Sequence, residues 1–274
     1  MELQLNLPHE FIEREDNMFV PFYKEFYGKN VKQMPKLIAD GRVPMNVAQL
    51  MQRRLCVINS DDEVKASYMD NFFDTGDAVV YHPDGRVKIV LDSQTLREMT
   101  PESERSNGAL VLASDVYDTL EGEEFKKEKL GKVNDSLSRE DVKAHPVWKV
   151  LARDQGLLND YADYIFVEGK ERFSYDTAMG VYPDSASNDV KMRAWYVNGL
   201  ENMSGANGGY YFYIDCGRLV GIAPEALSEP GKGAQNIKAY TITDLRAVDA
   251  AIKGLEGTLQ PNVLKPFVDL RKKL

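Results

Sequence analysis

Hydrophobic residues recur at helical spacing through the first part of the chain, and the pattern predicts helices between residues 8 and 58. One helix is predicted to end near Gly41, with an apolar face made of Val31, Met34, Leu37 and Ile38. A second is predicted to follow the N-cap Asn46, with an apolar face made of Val47, Leu50, Met51, Leu55 and Ile58. Such faces are typical of core-facing helices, and a partner-binding face is the alternative. A third helix is predicted over residues 62–73.

The spacing then changes to the alternation expected of strands. Residues 77–82 and 86–91 flank the sequence Pro83-Asp84-Gly85, and Asp-Gly between two such runs predicts a β-hairpin. Residues 109–112 are wholly apolar and predict a short strand. Ser114-Asp115 then predicts the start of a helix that reaches Leu120.

Residues 121–140 are charged and poor in large apolar side chains, which predicts a linker or an exposed loop. After it, Pro146 is a suitable first residue for a helix, or two abutting helices, reaching about Glu171. We therefore predict two parts. Residues 1–135 form a helical N-terminal part with a β-hairpin, and residues 136–274 form an α+β part. A single domain is the alternative.

The stretch from Arg193 to Pro224 is unusually rich in glycine and aromatic residues. Residues 210–215 and 218–222 are predicted to form a hairpin around Cys216-Gly217, preceded by a pliable loop at residues 205–209. Further helices are predicted from Thr243 and from Pro261 to the end of the chain. The fold class is therefore α+β, with helices at both ends around antiparallel hairpins and no regular βαβ alternation.

Composition and charge reduce the number of function classes that fit the sequence. The chain has 274 residues, a net charge of −9 and two cysteines, which favour a soluble cytoplasmic protein and disfavour a disulfide framework or a general nucleic-acid binder. The basic pair Arg53-Arg54 is predicted to be a solvated helix end. No apolar stretch is long enough to cross a membrane, so no membrane partner is expected.

Four stretches of the sequence together resemble a family of uncharacterised archaeal proteins. They are GRVPMNVAQLMQRRL, MDNFFDTGDAVVYHPDGRVKIV, HPVWKVLARD and GRLVGIAPEAL. The resemblance covers most of the chain and implies an archaeal cytosolic protein. Because no activity is attached to that family, the resemblance assigns no catalytic residue.

The aromatic segment supplies the candidate binding residues. On a strand, Tyr211, Tyr213 and Asp215 share one face, with Arg218 across the turn and Trp195 on the preceding segment. Such a row suits stacking and hydrogen bonding to a protein or small-molecule partner. The simpler interpretation is a sheet face with an Asp–Arg turn pair. We predict a non-catalytic binding protein with a glycine-rich aromatic surface and no cofactor.

The competing hypothesis is a metal-assisted hydrolase that uses carboxylates such as Asp74, Asp77, Asp176 and Asp215. It requires distant carboxylates to converge in one pocket. Phosphate-loop, zinc-site and nucleophile-elbow motifs are absent from the sequence, so catalytic residues and metal ligands stay unassigned and the question of enzymatic activity stays open.

Overall fold

The structure, a computed structural model, describes residues 22–126, 130, 136–184, 188–209, 217–224 and 253. In its first half, the elements are β1 (Tyr23–Tyr27), α1 (Asn30–Ala39), β2 (Val43–Pro44), α2 (Val47–Cys56), α3 (Asp62–Met69), β3 (Phe73–Tyr81), β4 (Arg86–Val90), α4 (Gln94–Arg97), β5 (Arg105–Ser106), β6 (Ala109–Leu112), α5 (Val116–Thr119) and β7 (Glu123–Lys126). The second half contains α6 (Arg139–Ala144), α7 (Pro146–Ala152), α8 (Gln155–Phe173), β8 (Val181–Tyr182), β9 (Val190–Val197), β10 (Ala206–Asn207) and β11 (Arg218–Ile222). Short 3-10 helices cover Val57–Asn59 and Leu200–Asn202.

The strands belong to one sheet of eleven, whose main path runs β1–β11–β3–β9–β10–β8. Three branches leave this path. β4 pairs with β3 and with β7, and β6 pairs with β9 and with β5. β2 pairs with β11. Only the β11–β3 and β10–β8 pairs are parallel among the described strands. The sheet is therefore mixed but largely antiparallel, and with its helices it makes an α+β fold. Strands from both sides of residue 135 pair in it.

Alternation along β3 divides the core between the two faces of the sheet. Val79 and Tyr81 face a cluster that contains residues of α2, α3, α7 and α8. Ala78 and Val80 face a second cluster with residues of α1 and α4. Because both faces are covered, all nine residues of β3 and all eight of β9 are buried.

Among the residues that the structure describes, no helix is both long enough and apolar enough to cross a lipid bilayer.

Several local predictions are confirmed. β3 and β4 form the hairpin around Pro83-Asp84-Gly85, with Val80 opposite Lys88. Asn46 caps α2 in a reciprocal capping box with Gln49. β6 spans the predicted residues, and Pro146 is the first residue of α7.

Other predictions are wrong. The segment predicted to be helical contains a strand, β1, because Tyr23–Tyr27 pairs along its whole length with β11. The predicted linker at residues 121–140 contains β7, which pairs with β4. β11 pairs with β1 on one side and with β3 and β2 on the other. The predicted partner strand at residues 210–215 and the predicted C-terminal helices lie outside the described residues.

Arg54 was predicted to be solvated and is instead fully buried. Its guanidinium donates to the carbonyls of Tyr68 at 2.9 Å, Asn71 at 2.9 Å and Asn198 at 3.0 Å, and to the hydroxyl of Tyr161 at 2.7 Å. No carboxylate of the described residues forms an ion pair with it. A planar fork of donors thus connects α2 with α3, α8 and the end of β9.

Replacing Arg54 with lysine should destabilise the fold strongly. A lysine ammonium cannot reach acceptors spread around a guanidinium, and each buried acceptor left unpaired costs about 1–3 kcal/mol. We expect Arg54→Lys to lower the free energy of unfolding by about 3 kcal/mol or more in urea denaturation. Arg139→Lys is the control, since that side chain is 42% exposed on α6. Equal losses of stability in the two variants would contradict this role for Arg54.

Candidate functional site

An open pocket of about 540 Å³ lies at the β10–β8 end of the sheet. Its lining is mostly polar and comes from four separate segments: Ser136, Tyr182, Pro183, Asp184, Asn198, Glu201, Asn202, Met203, Asn207 and Gly209. Two of these residues, Asn207 and Gly209, belong to the glycine loop that the sequence singled out. The pocket therefore brings this loop together with three other segments of the chain.

One wall of the pocket consists of Tyr182, Pro183 and Asp184, at and just after β8. The Asp184 carboxylate is held by Arg193, whose Nε lies 2.6 Å from Oδ2. The Arg193 side chain is 1% exposed, so this is an ion pair between a buried cation and a carboxylate at the pocket wall. The buried Arg193 guanidinium therefore offsets the negative charge of Asp184 from the core side of this wall.

The adjoining wall, which pairs directly with the first, is the loop at residues 207–209. Asn207 lies beside Tyr182 in the parallel β10–β8 pair, and its Oδ1 accepts a 2.8 Å hydrogen bond from the Gly209 amide. The Gly208 amide donates to the Tyr182 carbonyl at 2.9 Å. A Cβ on Gly208 would lie 2.5 Å from the Tyr81 hydroxyl and 3.3 Å from Trp195, so only glycine fits at this position.

A short turn that follows β9 completes the pocket. The 3-10 helix Leu200–Asn202 ends at Met203, whose φ of 59° lies in the left-handed region. This turn exposes Glu201 and Asn202 and leaves Asn198 half-buried. The backbone of Asn198 is held by Arg54 and by a 2.9 Å hydrogen bond from its amide to the Gly205 carbonyl. The buried guanidinium therefore supports this wall.

The lining offers hydrogen bonds more than charge. The side-chain amides of Asn198 and Asn202 make no hydrogen bond with the described residues, so each presents a donor and an acceptor. Glu201 adds an exposed carboxylate. The described lining contains no lysine, arginine or histidine. An anionic ligand would meet no compensating cation here, whereas a neutral ligand with hydroxyl groups would find matched partners.

Two of the predicted binding residues lie elsewhere, inside the fold. Trp195 is fully buried in the core cluster beneath Gly208, so it is not part of an exposed surface. Arg218 is 5% exposed, and its Nη1 lies 2.7 Å from Glu25 Oε1. Tyr211, Tyr213 and Asp215 lie outside the described residues, so their role in ligand binding stays a prediction. Of the predicted features, the glycine loop is the one that the pocket contains.

The carboxylates of the hydrolase hypothesis do not converge in the described residues. Asp77 is fully buried and pairs with Arg153 at 2.7 Å, and the exposed Asp176 pairs with Lys170 at 2.5 Å. Asp74 is buried beside β11 and accepts a 2.9 Å hydrogen bond from the Arg218 amide. Within the described ranges, no group of three or more His, Cys, Asp or Glu side chains is arranged to hold a metal ion.

The sequence patterns did not indicate Asn198, Glu201 or Asn202. Single asparagines and glutamates are frequent surface residues, and nothing in their spacing distinguishes these three. The one distinctive residue near them is a glycine, Gly199. Gly199 lies just after β9, and a Cβ there would be 2.7 Å from the Asp70 carbonyl oxygen, so the chain passes close to the end of α3 at this point.

Comparison with known proteins identifies the fold. No protein-family model matches the chain, and no curated protein matches it, which is consistent with an uncharacterised family. A solved structure described as a C-type lectin fold that accommodates massive sequence variation in Nanoarchaeota is similar, with a TM-score of 0.54 and 17% sequence identity. The match covers 73% of this chain and 97% of that one. The chain therefore has a fold similar to the C-type lectin fold.

The buried carboxyl of Asp74 makes stability depend on pH. Burial raises the pKa of Asp74 to about 6 from an ordinary value of 3.8. Because the folded pKa is the higher one, its contribution to stability is complete below about pH 4 and is lost as the pH rises through about 6, by roughly 3 kcal/mol at most. Asp74→Asn should remove this loss. We expect the melting temperature of Asp74→Asn to exceed that of the wild type clearly at pH 8 and by only about a third as much at pH 4.5.

The control for that experiment is Asp118→Asn, which changes a carboxylate that is 69% exposed. It should show a small difference from the wild type at both pH values. If the advantage of Asp74→Asn were the same at pH 4.5 and pH 8, the raised pKa would be refuted.

Proposed function

We propose that this protein is a non-catalytic binding protein that holds its ligand in the pocket lined by the 182–184 wall, the glycine loop and the turn after β9. The observation that carries the proposal is the lining itself, in which the side-chain amides of Asn198 and Asn202, without partners among the described residues, line an open pocket of about 540 Å³. Polar groups that converge on a concave site are the usual mark of a ligand pocket. The fold supports the proposal, since the similar Nanoarchaeota structure shows a C-type lectin fold that accommodates massive sequence variation.

The ligand that this lining fits best is neutral and rich in hydroxyl groups. An amide side chain donates and accepts at once, so two adjacent hydroxyls of such a ligand can bind to Asn198 or Asn202 as a pair. Glu201 accepts further hydroxyl protons, and the half-buried Tyr182 ring offers an apolar surface for the ligand's C–H groups. An oligosaccharide has this chemistry, and a phosphate or carboxylate does not.

The hydrolase hypothesis receives no support from the described part of the chain. It needs several carboxylates in one pocket, and Asp74, Asp77 and Asp176 each have different partners in different places. We propose no cofactor. The predicted cytoplasmic location, the absence of nucleic-acid and membrane partners and the contribution of Tyr211, Tyr213 and Asp215 remain predictions of the sequence.

A printed array of neutral oligosaccharides tests the proposal, with inorganic phosphate as the anionic comparison in calorimetry. The wild type should bind a subset of the array, and phosphate should give no heat of binding. Asn202→Ala should weaken binding of the best oligosaccharide about tenfold, since a lost hydrogen bond is worth about 1 kcal/mol or somewhat more in a desolvated site.

Asn59→Ala is the matched control, because Asn59 is an exposed asparagine at the end of the other 3-10 helix and is not part of the pocket lining. It should bind like the wild type. An array without any signal, or equal affinities for the two asparagine variants, would refute the proposed site.

A further inference from the structure

Tyr81 joins the two walls of the pocket from below. It is the last residue of β3, is 4% exposed and packs in the core cluster. Its hydroxyl accepts a 2.9 Å hydrogen bond from the Asp184 amide and donates one of 3.3 Å to the Gly208 carbonyl. We name this pair of hydrogen bonds the Tyr81 bridge. One atom anchored in the sheet is thus bonded to both walls, although Tyr81 is far from each of them in sequence.

The surroundings of the Tyr81 bridge keep it in place. The Tyr81 ring is part of the sheet core, so the hydroxyl cannot move without moving β3. Burial raises the pKa of Tyr81 above its ordinary value, and the hydroxyl therefore keeps its proton and its role as a donor to Gly208. Gly208 has no side chain, which allows its backbone to reach the hydroxyl.

Arg193 fixes the same wall through its side chain. Its Nε is 2.6 Å from Asp184 Oδ2, and its Nη2 donates to the Asn107 carbonyl at 2.8 Å. Arg193 lies opposite Val79 in the β3–β9 pair, two residues before Tyr81. The backbone of Asp184 is therefore bound to β3 and its carboxylate to β9. A wall held at two points by adjacent central strands has little freedom to move.

We propose that Tyr81 is a positioning residue that holds the 182–184 segment and the glycine loop in place against β3 and thereby sets the affinity and selectivity of binding. The inference rests on the proposed function and goes beyond it, because Tyr81 is not part of the pocket lining and acts through Asp184 and Gly208. A pocket formed before the ligand arrives avoids the cost of ordering its walls during binding. Loss of the bridge leaves the lining groups present and the two segments paired, but it releases both from their contact with β3.

The test compares Tyr81→Phe with the wild type by amide hydrogen exchange without ligand. Phenylalanine keeps the ring and removes only the hydroxyl, so the Asp184 amide loses its acceptor. We expect hydrogen exchange at the Asp184 amide to become about tenfold faster or more, which corresponds to the loss of a hydrogen bond worth about 1.4 kcal/mol. Amides in the middle of β9 should keep their protection. Unchanged exchange at Asp184 would overturn the proposal.

Tyr117→Phe is the matched control, because Tyr117 is also fully buried but packs in the cluster on the other face of the sheet. It should leave exchange at Asp184 unchanged. If Tyr81→Phe does not fold, Gly208→Ala tests the bridge from the other side, since its Cβ would lie 2.5 Å from the Tyr81 hydroxyl. Faster exchange at Asp184 in both control and test variants would show a general loss of stability and overturn the positioning role.

Calorimetry with the two tightest oligosaccharides of the array gives the second measurement. Tyr81→Phe should bind the better one about tenfold more weakly and discriminate less between the two, while Tyr117→Phe should keep both affinities. An unchanged ratio of the two affinities would overturn the role in selectivity. If the wild type binds no oligosaccharide, the proposed function fails, and the exchange of the Asp184 amide still decides whether the Tyr81 bridge fixes the walls.

Discussion

The guanidinium of Arg54 is the contact on which the arrangement of this structure depends most. A cation that is fully buried without an ion-pair partner among the described residues is costly unless its donors find acceptors. Here three backbone carbonyls and one phenol provide them. The four acceptors lie on three different parts of the chain, so the helices of one sheet face and the turn after β9 must be in place together. One of these hydrogen bonds, from Arg54 to the Asn198 carbonyl, also fixes the backbone of Asn198 at the pocket.

Similar links support the rest of the pocket. The Tyr81 bridge and Arg193 connect its walls to the two central strands, and Gly208 packs over Trp195, where a Cβ would lie 3.3 Å from the indole ring. Trp195 thus contributes to the site from within the core. The polar groups of the walls are bonded to rigid strands, and the amides of Asn198 and Asn202 are left for a ligand. Such a pocket does not need to be ordered by its ligand. This is the physical basis for proposing a binding protein.

Local signals predicted local structure well. The Asp84-Gly85 turn, the Asn46–Gln49 capping box and Pro146 act within a few residues of themselves, and the structure has each element where the pattern placed it. Contacts between distant segments were not predictable in this way. β1 is a strand because β11 pairs with it, and Arg54 is buried because four remote acceptors surround it. The glycine loop indicated the right region for the pocket, whereas the turn with Glu201 and Asn202 carries no distinctive sequence pattern.

The most direct test of this account is a nuclear magnetic resonance titration of isotope-labelled protein with the tightest oligosaccharide of the array. The account predicts that the side-chain amide signals of Asn198, Asn202 and Asn207 shift together in proportion to bound ligand, while those of Asn59 and Asn71 stay in place. Shifts centred instead on the backbone amides around Arg218 and Asp74 would contradict it, because the ligand would then bind at the other end of the sheet.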